Sequence, residues 1–190
     1  MTDARGIAYE TQACSILSDG ITLRGDLTVP PGARGLVLFA HGSGSSRLSP
    51  RNRMVARRLQ DGGFGTLLFD LLTGREEAVD AITRRLRFDI EFLAARLAGA
   101  TDWMGSQRMA RGLPLGYFGA STGAAASLVA AARRPGIVSA IVSRGGRPDL
   151  AGPYLGQVTT PTLLIVGGAD ASVPVRGAPG SSGKGPRGPW

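Results

Sequence analysis

The chain has 190 residues, 43% of them hydrophobic, and a mean hydropathy near zero, which is typical of one soluble globular domain. No apolar run approaches the roughly 20 residues of a membrane helix, and this hydrophobic content argues against a disordered chain. The formal net charge of +8 suggests nucleic acid as a partner, but the arginines fall on predicted helix faces without interleaved aromatic residues. We therefore expect neither a nucleic-acid nor a membrane partner.

The cysteine count and the N-terminus bear on the cellular compartment. Cys14 is the only cysteine, so the chain cannot form an internal disulfide, and residues 1–10 lack the charged and then apolar pattern of a secretion signal. We expect a reducing, cytoplasmic setting.

Strand-type and helix-type segments alternate along the chain. Residues 11–17 and 21–29 alternate in polarity around an Asp19-Gly20 turn and predict a β-hairpin. The later strands are continuous apolar runs, typical of strands buried on both faces. Helical spacing predicts helices at 50–60, 84–104 and 124–132, with a polar stretch around Glu76, Glu77 and Asp80 before the second. The further predicted strands are 36–40, 65–72, 115–118, 137–143 and 161–166. This order predicts an α/β sandwich around a mostly parallel sheet.

The composition changes near the C-terminus. Residues 176–190 are rich in Gly, Pro and Ser and have no period of 2 or 3.6, which predicts an irregular tail. We therefore expect one domain over 1–175 and a tail over 176–190, with the sheet ending at the strand 161–166.

The sequence Gly119-Ala120-Ser121-Thr122-Gly123 lies between a predicted strand and a predicted helix. A Ser on such a turn adopts a strained backbone, and its small neighbours let other backbone segments pass close by. The hydroxyl then projects at a helix N-terminus, where the Thr122 N–H and the helix dipole can stabilise an oxyanion. The motif in this context predicts Ser121 as a nucleophile; the alternative is a glycine-rich structural turn.

Two further segments are predicted at the same edge of the sheet. The loop His41-Gly42-Ser43-Gly44 directly follows a buried strand and can offer the Ser43 N–H to the same oxyanion, unless it is only a mobile loop. Asp170 follows the last apolar strand, and carboxyl ends of parallel strands converge on one edge. It is a candidate acid partner; the alternative is that it is an ordinary solvated aspartate.

These segments resemble a known family. LVLFAHGSGS, GYFGASTGAAASLVAA and PTLLIVGGAD, in this order, resemble the α/β-hydrolases, and more closely their compact dienelactone-hydrolase-like branch, up to about Asp170. The resemblance implies a three-layer fold with helices on both faces of the sheet. It implies Ser121 as nucleophile, Asp170 as triad acid, and the N–H groups of Ser43 and Thr122 as oxyanion hole. It implies small ester or lactone substrates and no cofactor.

The chain departs from that family in its histidines. The family has its catalytic His after the Asp, beyond a further strand, but the one His here is His41, which lies upstream. A Ser without a base is a poor nucleophile, so we expect weak activity. One explanation is a C-terminally truncated or frameshifted chain that lacks the final strand and helix. Alternatively, His41 is recruited as the base, although bracing the oxyanion loop is its simpler role. A third is a second subunit that supplies the missing parts, as in a homodimer through the exposed sheet edge. Lys184, on the tail, is a fourth and weaker candidate base.

Arg144 follows a predicted strand and so lies near the same edge. Its guanidinium could orient a substrate carboxylate or phosphate, or it could form a structural ion pair with Asp70 or Asp149. No Cys/His cluster is present, so we expect no metal site. The sequence thus predicts a serine hydrolase of carboxylic esters or lactones that acts through an acyl-enzyme on Ser121. The alternative is a non-catalytic protein of the same fold.

Overall fold

The structure, a computed structural model, describes residues 9–167. Its strands are β1 (Thr11–Ser18), β2 (Ile21–Thr28), β3 (Leu36–Ala40), β4 (Gly65–Phe69), β5 (Leu115–Ala120), β6 (Val138–Arg144) and β7 (Thr162–Ile165). Its helices are α1 (Pro50–Asp61), α2 (Gly74–Thr83), α3 (Ile90–Ser106) and α4 (Thr122–Arg133), with short 3-10 turns between them.

The seven strands form one mixed sheet in the order β1-β2-β4-β3-β5-β6-β7. The hairpin β1–β2 pairs antiparallel to β4, whereas β4, β3, β5, β6 and β7 are mutually parallel. The predicted mostly parallel α/β sheet is confirmed. Strand β4 ends at Phe69, three residues earlier than predicted, because the chain then turns toward α2.

The prediction between residues 70 and 104 is wrong in one respect. Residues 74–83, expected to be a polar stretch, form helix α2, and residues 84–89, expected to be helical, form its connection to α3. Thr73 and Glu76 make a capping box that starts α2, and Arg84 ends it in a left-handed conformation with φ of 55°. Capping chemistry defines this helix, whose weak apolar pattern did not predict it.

The core lies on both faces of the sheet. On one face Leu38, Leu67 and Tyr117 are buried beneath α3 and α4, and on the other Phe39 and Phe118 pack with Ala56 of α1. This is a three-layer arrangement. Every residue of α4 except Arg133 is buried, because its run of alanines lets the helix pack closely on the sheet.

The edges of the sheet differ from its centre. Leu163, Leu164 and Ile165 of β7 are each about half exposed. The expectations that a C-terminal strand and helix are missing, and that the domain ends at residue 175 before a tail over 176–190, concern residues that lie outside the described part of the chain.

Candidate active site

Ser121 occupies a strained turn between β5 and α4. Its backbone has φ of 50° and ψ of −123°, a conformation that non-glycine residues rarely adopt. A Cβ on Gly119 would lie 2.4 Å from the Cα of Ala124, and one on Gly123 would lie 2.1 Å from the carbonyl oxygen of Ala40. The two glycines are therefore required by close backbone approach, as the motif predicts.

Parallel pairing brings the loop after β3 to the same place. Strands β3 and β5 are neighbours in which Ala40 is the partner of Gly119, so the residues that follow each strand share one edge. A Cβ on Gly42 would lie only 2.9 Å from the Cβ of Ser121. The structure thus brings the glycine-rich loop against the predicted nucleophile.

Ser43 and Thr122, the residues predicted to supply the oxyanion hole, are in direct contact. The Oγ of Ser43 lies 3.1 Å from the Oγ1 of Thr122. Within residues 9–167, neither backbone N–H donates to a loop or side-chain acceptor. Thr122 begins α4, where an N–H has no partner inside the helix, so both N–H groups are available to a substrate oxygen.

His41 is held by the backbone on both sides of its ring. Its Nε2 accepts a hydrogen bond of 3.0 Å from the N–H of Leu71, which places the ring proton on Nδ1, 3.0 Å from the carbonyl oxygen of Gly42. The side chain is buried, and burial lowers the pKa of His41 despite the opposing effects of Gly42 and nearby carboxylates. No hydrogen bond joins the imidazole to Ser121, and the contacts favour the bracing role over that of base.

A cleft of about 330 Å³ opens beside Ser121. Among residues 9–167, the charged side chains that line it are those of Arg51 and Arg144, and no carboxylate does so. Arg144 donates a long hydrogen bond of 3.5 Å from Nη2 to the Oδ1 of buried Asn52. Its Nε has no partner in the described part of the chain.

The two carboxylates considered as partners of Arg144 form ion pairs with other arginines. Asp70 pairs with Arg47 and Asp149 pairs with Arg147, each at 2.6 Å. The guanidinium of Arg144 thus faces the cleft region without a carboxylate from residues 9–167. Asp170 lies outside the described residues.

Sequence reasoning missed Asn52 and the pair Asp80 and Arg87 near this edge. Asn52 lies in the first turn of α1, which Ser49 caps and Pro50 begins, and a lone Asn among arginines carries no signal of its own. The sequence pattern puts Asp80 in a polar stretch because its apolar spacing does not predict α2. Only the capping-box sequence around Thr73 and Glu76 could have indicated that helix.

Residues 9–167 contain no candidate membrane span and no candidate metal cluster. None of their helices has the length and apolar character to cross a bilayer. Nor do these residues contain a group of three or more His, Cys, Asp or Glu side chains suited to a metal ion.

Two curated Mycobacterium tuberculosis proteins, from strains CDC 1551 and H37Rv, are 58% identical to this chain over 158 residues. Both carry the provisional name phosphoribosyl transferase. The match covers 83% of this chain but 35% of each relative, so the chain spans about a third of their length. No protein-family model matches the chain.

Solved structures give the family. A dienelactone hydrolase from Anabaena variabilis is 59% identical, with a TM-score of 0.82, over 84% of this chain and 74% of that one. A dienelactone hydrolase-like promiscuous phosphotriesterase from metagenomic libraries is 22% identical, with a TM-score of 0.71, over 87% of this chain and 72% of that one. At that identity the second supports the fold alone. The chain therefore belongs to the dienelactone-hydrolase-like α/β-hydrolases.

Proposed function

We propose that the chain is a serine hydrolase of carboxylic esters or lactones. The observation that carries this is the strained Ser121 at the N-terminus of α4, next to the available N–H groups of Ser43 and Thr122. Strain at a Ser in a strand-to-helix turn is characteristic of a nucleophile rather than of a structural turn.

In the proposed reaction the Oγ of Ser121 attacks the acyl carbon and forms a C–O bond while its proton passes to a base. The carbonyl electron pair moves to the oxygen, which accepts hydrogen bonds from the two N–H groups. Collapse of this intermediate breaks the bond to the alcohol, which leaves with a proton. Water then releases the acid from the acyl-enzyme and restores Ser121.

The base is the weak point of this chemistry. His41 is the chain's one histidine, and both of its ring nitrogens already contact the backbone. We propose that His41 braces the loop and is not the base. From the family resemblance, we propose that Asp170 supports the base, which is then a group other than His41. Acylation without a histidine base is slow, so we propose weak turnover by this chain alone.

Arg144 and Asn52 give the cleft a preference for negative charge. A guanidinium that has no carboxylate partner among residues 9–167, next to the amide of Asn52 in the lining of the same cleft, can hold a substrate carboxylate or phosphate. We propose that this pair orients the charged end of the substrate.

The name of the mycobacterial relatives does not change this proposal. It refers to proteins of which this chain matches about a third, and the features that support our proposal lie within the described residues. The alternative function is a non-catalytic protein of this fold, and the absence of a second histidine from the sequence favours it.

Chemical rescue tests the hydrolase proposal. Imidazole supplied in solution can replace a missing histidine base, so we expect it to accelerate hydrolysis of p-nitrophenyl acetate by the wild-type chain. The folded Ser121→Ala variant gives the rate due to imidazole itself. Equal rates for the two proteins across the imidazole series would support the non-catalytic alternative. His41→Gln provides a further comparison, because loss of the imidazole-independent rate in that folded variant, with recovery when imidazole is added, would make His41 the base.

The anionic cleft has its own test. Arg144→Leu should raise KM for the p-nitrophenyl monoester of succinate by about tenfold to a hundredfold, the range for losing a charge-assisted hydrogen bond. KM for neutral p-nitrophenyl acetate should change little. Arg58→Leu, which removes an equal charge from an exposed position of α1 outside the cleft, is the control. An equal effect of Arg144→Leu on both esters would exclude charge recognition.

A further inference from the structure

Asp80 is a buried carboxylate that the proposed chemistry does not use. It lies near the end of α2, is 1% exposed, and pairs with Arg87 through a 2.6 Å contact between Oδ2 and Nε. Its Oδ1 accepts hydrogen bonds from the N–H groups of Leu86 and Arg87. Burial by itself would raise the pKa of Asp80, but the hydrogen bonds from Arg87 and Leu86 outweigh it and hold the pKa below its usual value.

These contacts fix the position of one backbone carbonyl. Arg87 is anchored by its own N–H, by its Nε and by an Nη2 that donates to the carbonyl oxygen of Asp80. The carbonyl oxygen of Arg87 accepts the hydroxyl proton of Ser43 at 3.3 Å. The Asp80–Arg87 pair therefore holds an acceptor directly against the loop that follows β3.

The chain of contacts continues to the residue next to the nucleophile. Because the single hydroxyl proton of Ser43 is donated to Arg87, the hydroxyl of Thr122 must be the donor in its 3.1 Å contact with Ser43. Ser43 and Thr122 are the two residues whose N–H groups form the proposed oxyanion hole. Their side chains thus set the spacing of those two N–H groups.

We propose that the Asp80–Arg87 ion pair positions the oxyanion hole, acting through the Arg87 carbonyl and the Ser43 hydroxyl; this inference rests on the proposed function. Both are positioning residues, since neither touches the reacting atoms. The connection between α2 and α3 thereby acquires a role in the reaction. Preorganised donors stabilise a developing oxyanion only when they are held at the right place, so a loosened Ser43 should slow attack by Ser121.

The test measures how fast a fluorophosphonate labels Ser121 in Asp80→Asn and in the milder Arg87→Lys. The control is Glu76→Gln, which breaks the 2.6 Å ion pair with Arg96 between α2 and α3. That variant makes the same acid-to-amide change in the same helix, without contact to Ser43. Unfolding in urea measures the stability lost by each variant. If Asp80→Asn does not fold, the labelling rate of Arg87→Lys tests the proposal.

We expect labelling to slow about tenfold or more in Asp80→Asn and Arg87→Lys, and less than about twofold in Glu76→Gln, since removal of a whole oxyanion donor costs roughly 10²–10³. In a Ser43→Ala background the further effect of Asp80→Asn should nearly vanish, because the connecting hydroxyl is already gone. Equal slowing in Glu76→Gln, or an undiminished effect of Asp80→Asn in the Ser43→Ala background, would overturn the proposal.

A second measurement separates this proposal from the proposed function. If the wild-type chain is not labelled at all, the hydrolase proposal fails, and NMR order parameters of the Ser43 and Thr122 amides decide on the positioning role. These order parameters should fall in Asp80→Asn and stay unchanged in Glu76→Gln. Unchanged values in Asp80→Asn would overturn it.

Discussion

In strand β3 the side chain of Leu38 is fully buried, whereas in strand β7 the side chain of Leu164 is 49% exposed. The central strands β3 and β5 also end in Ser121 and the loop from His41 to Gly44, where backbone segments approach within van der Waals contact. Strand β7 precedes Asp170, the predicted acid. The predicted nucleophile and oxyanion donors thus follow the best-packed strands of residues 9–167, whereas the predicted acid follows, in the sequence, a strand whose side chains are about half exposed.

We expect the largest loss of stability when a side chain is added where α4 contacts β3. In Gly123→Ala the added Cβ would lie 2.1 Å from the carbonyl oxygen of Ala40 and 2.5 Å from that of His41, and neither backbone group can move without shifting the strand. We expect a loss of about 3 kcal/mol or more in the free energy of unfolding, measured in urea. Gly105→Ala, where a Cβ meets nothing within 4 Å, should instead stabilise by up to about 1 kcal/mol. Equal effects of the two changes would contradict the packing described.

The comparison of the two strands can be measured directly. Leu38→Ala should lower the free energy of unfolding by about 2–5 kcal/mol, because it opens a cavity in a closed core. Leu164→Ala should cost less than about 1 kcal/mol, because its side chain is already half in water. Urea unfolding of both variants measures these changes. A large loss in the free energy of unfolding for Leu164→Ala would show that β7 is covered in solution.

A smaller effect should appear in the pH dependence of stability. Burial lowers the pKa of His41 in the folded chain below its unfolded value of about 6.5. Between these two pKa values the unfolded chain binds more protons, so stability should fall as the pH decreases below about 6.5. In His41→Gln this loss between pH 7.5 and 5.5 should be reduced, since the chain has no other histidine. Parallel stability curves for the two proteins would show that His41 does not titrate as described.

The same contrast explains what could be predicted from the sequence. The bounds of β3 and the turn at Ser121 could be predicted because a short apolar run and a motif of five adjacent residues contain the whole signal. Helix α2 was missed because its start depends on the capping pair Thr73 and Glu76 rather than on apolar spacing. The roles of Asn52 and Arg87 could not be predicted, since their contacts with Arg144 and Ser43 join segments far apart in the chain, and the role of Asp80 depends on that of Arg87.

His41 shows most clearly how far the role of a residue can be predicted from the sequence. Its position next to the nucleophile motif allowed both a base and a brace. The hydrogen bond from Leu71 depends on where β4 ends, and sequence periodicity predicts that end three residues too late.

The central claim is that Ser121 is a nucleophile, and covalent labelling tests it most directly. After incubation with a fluorophosphonate, peptide mapping by mass spectrometry should find one adduct, on Ser121 in the wild-type chain and absent from Ser121→Ala. A folded wild-type chain that remains unlabelled, or a Ser121→Ala chain labelled to the same extent, would contradict the claim.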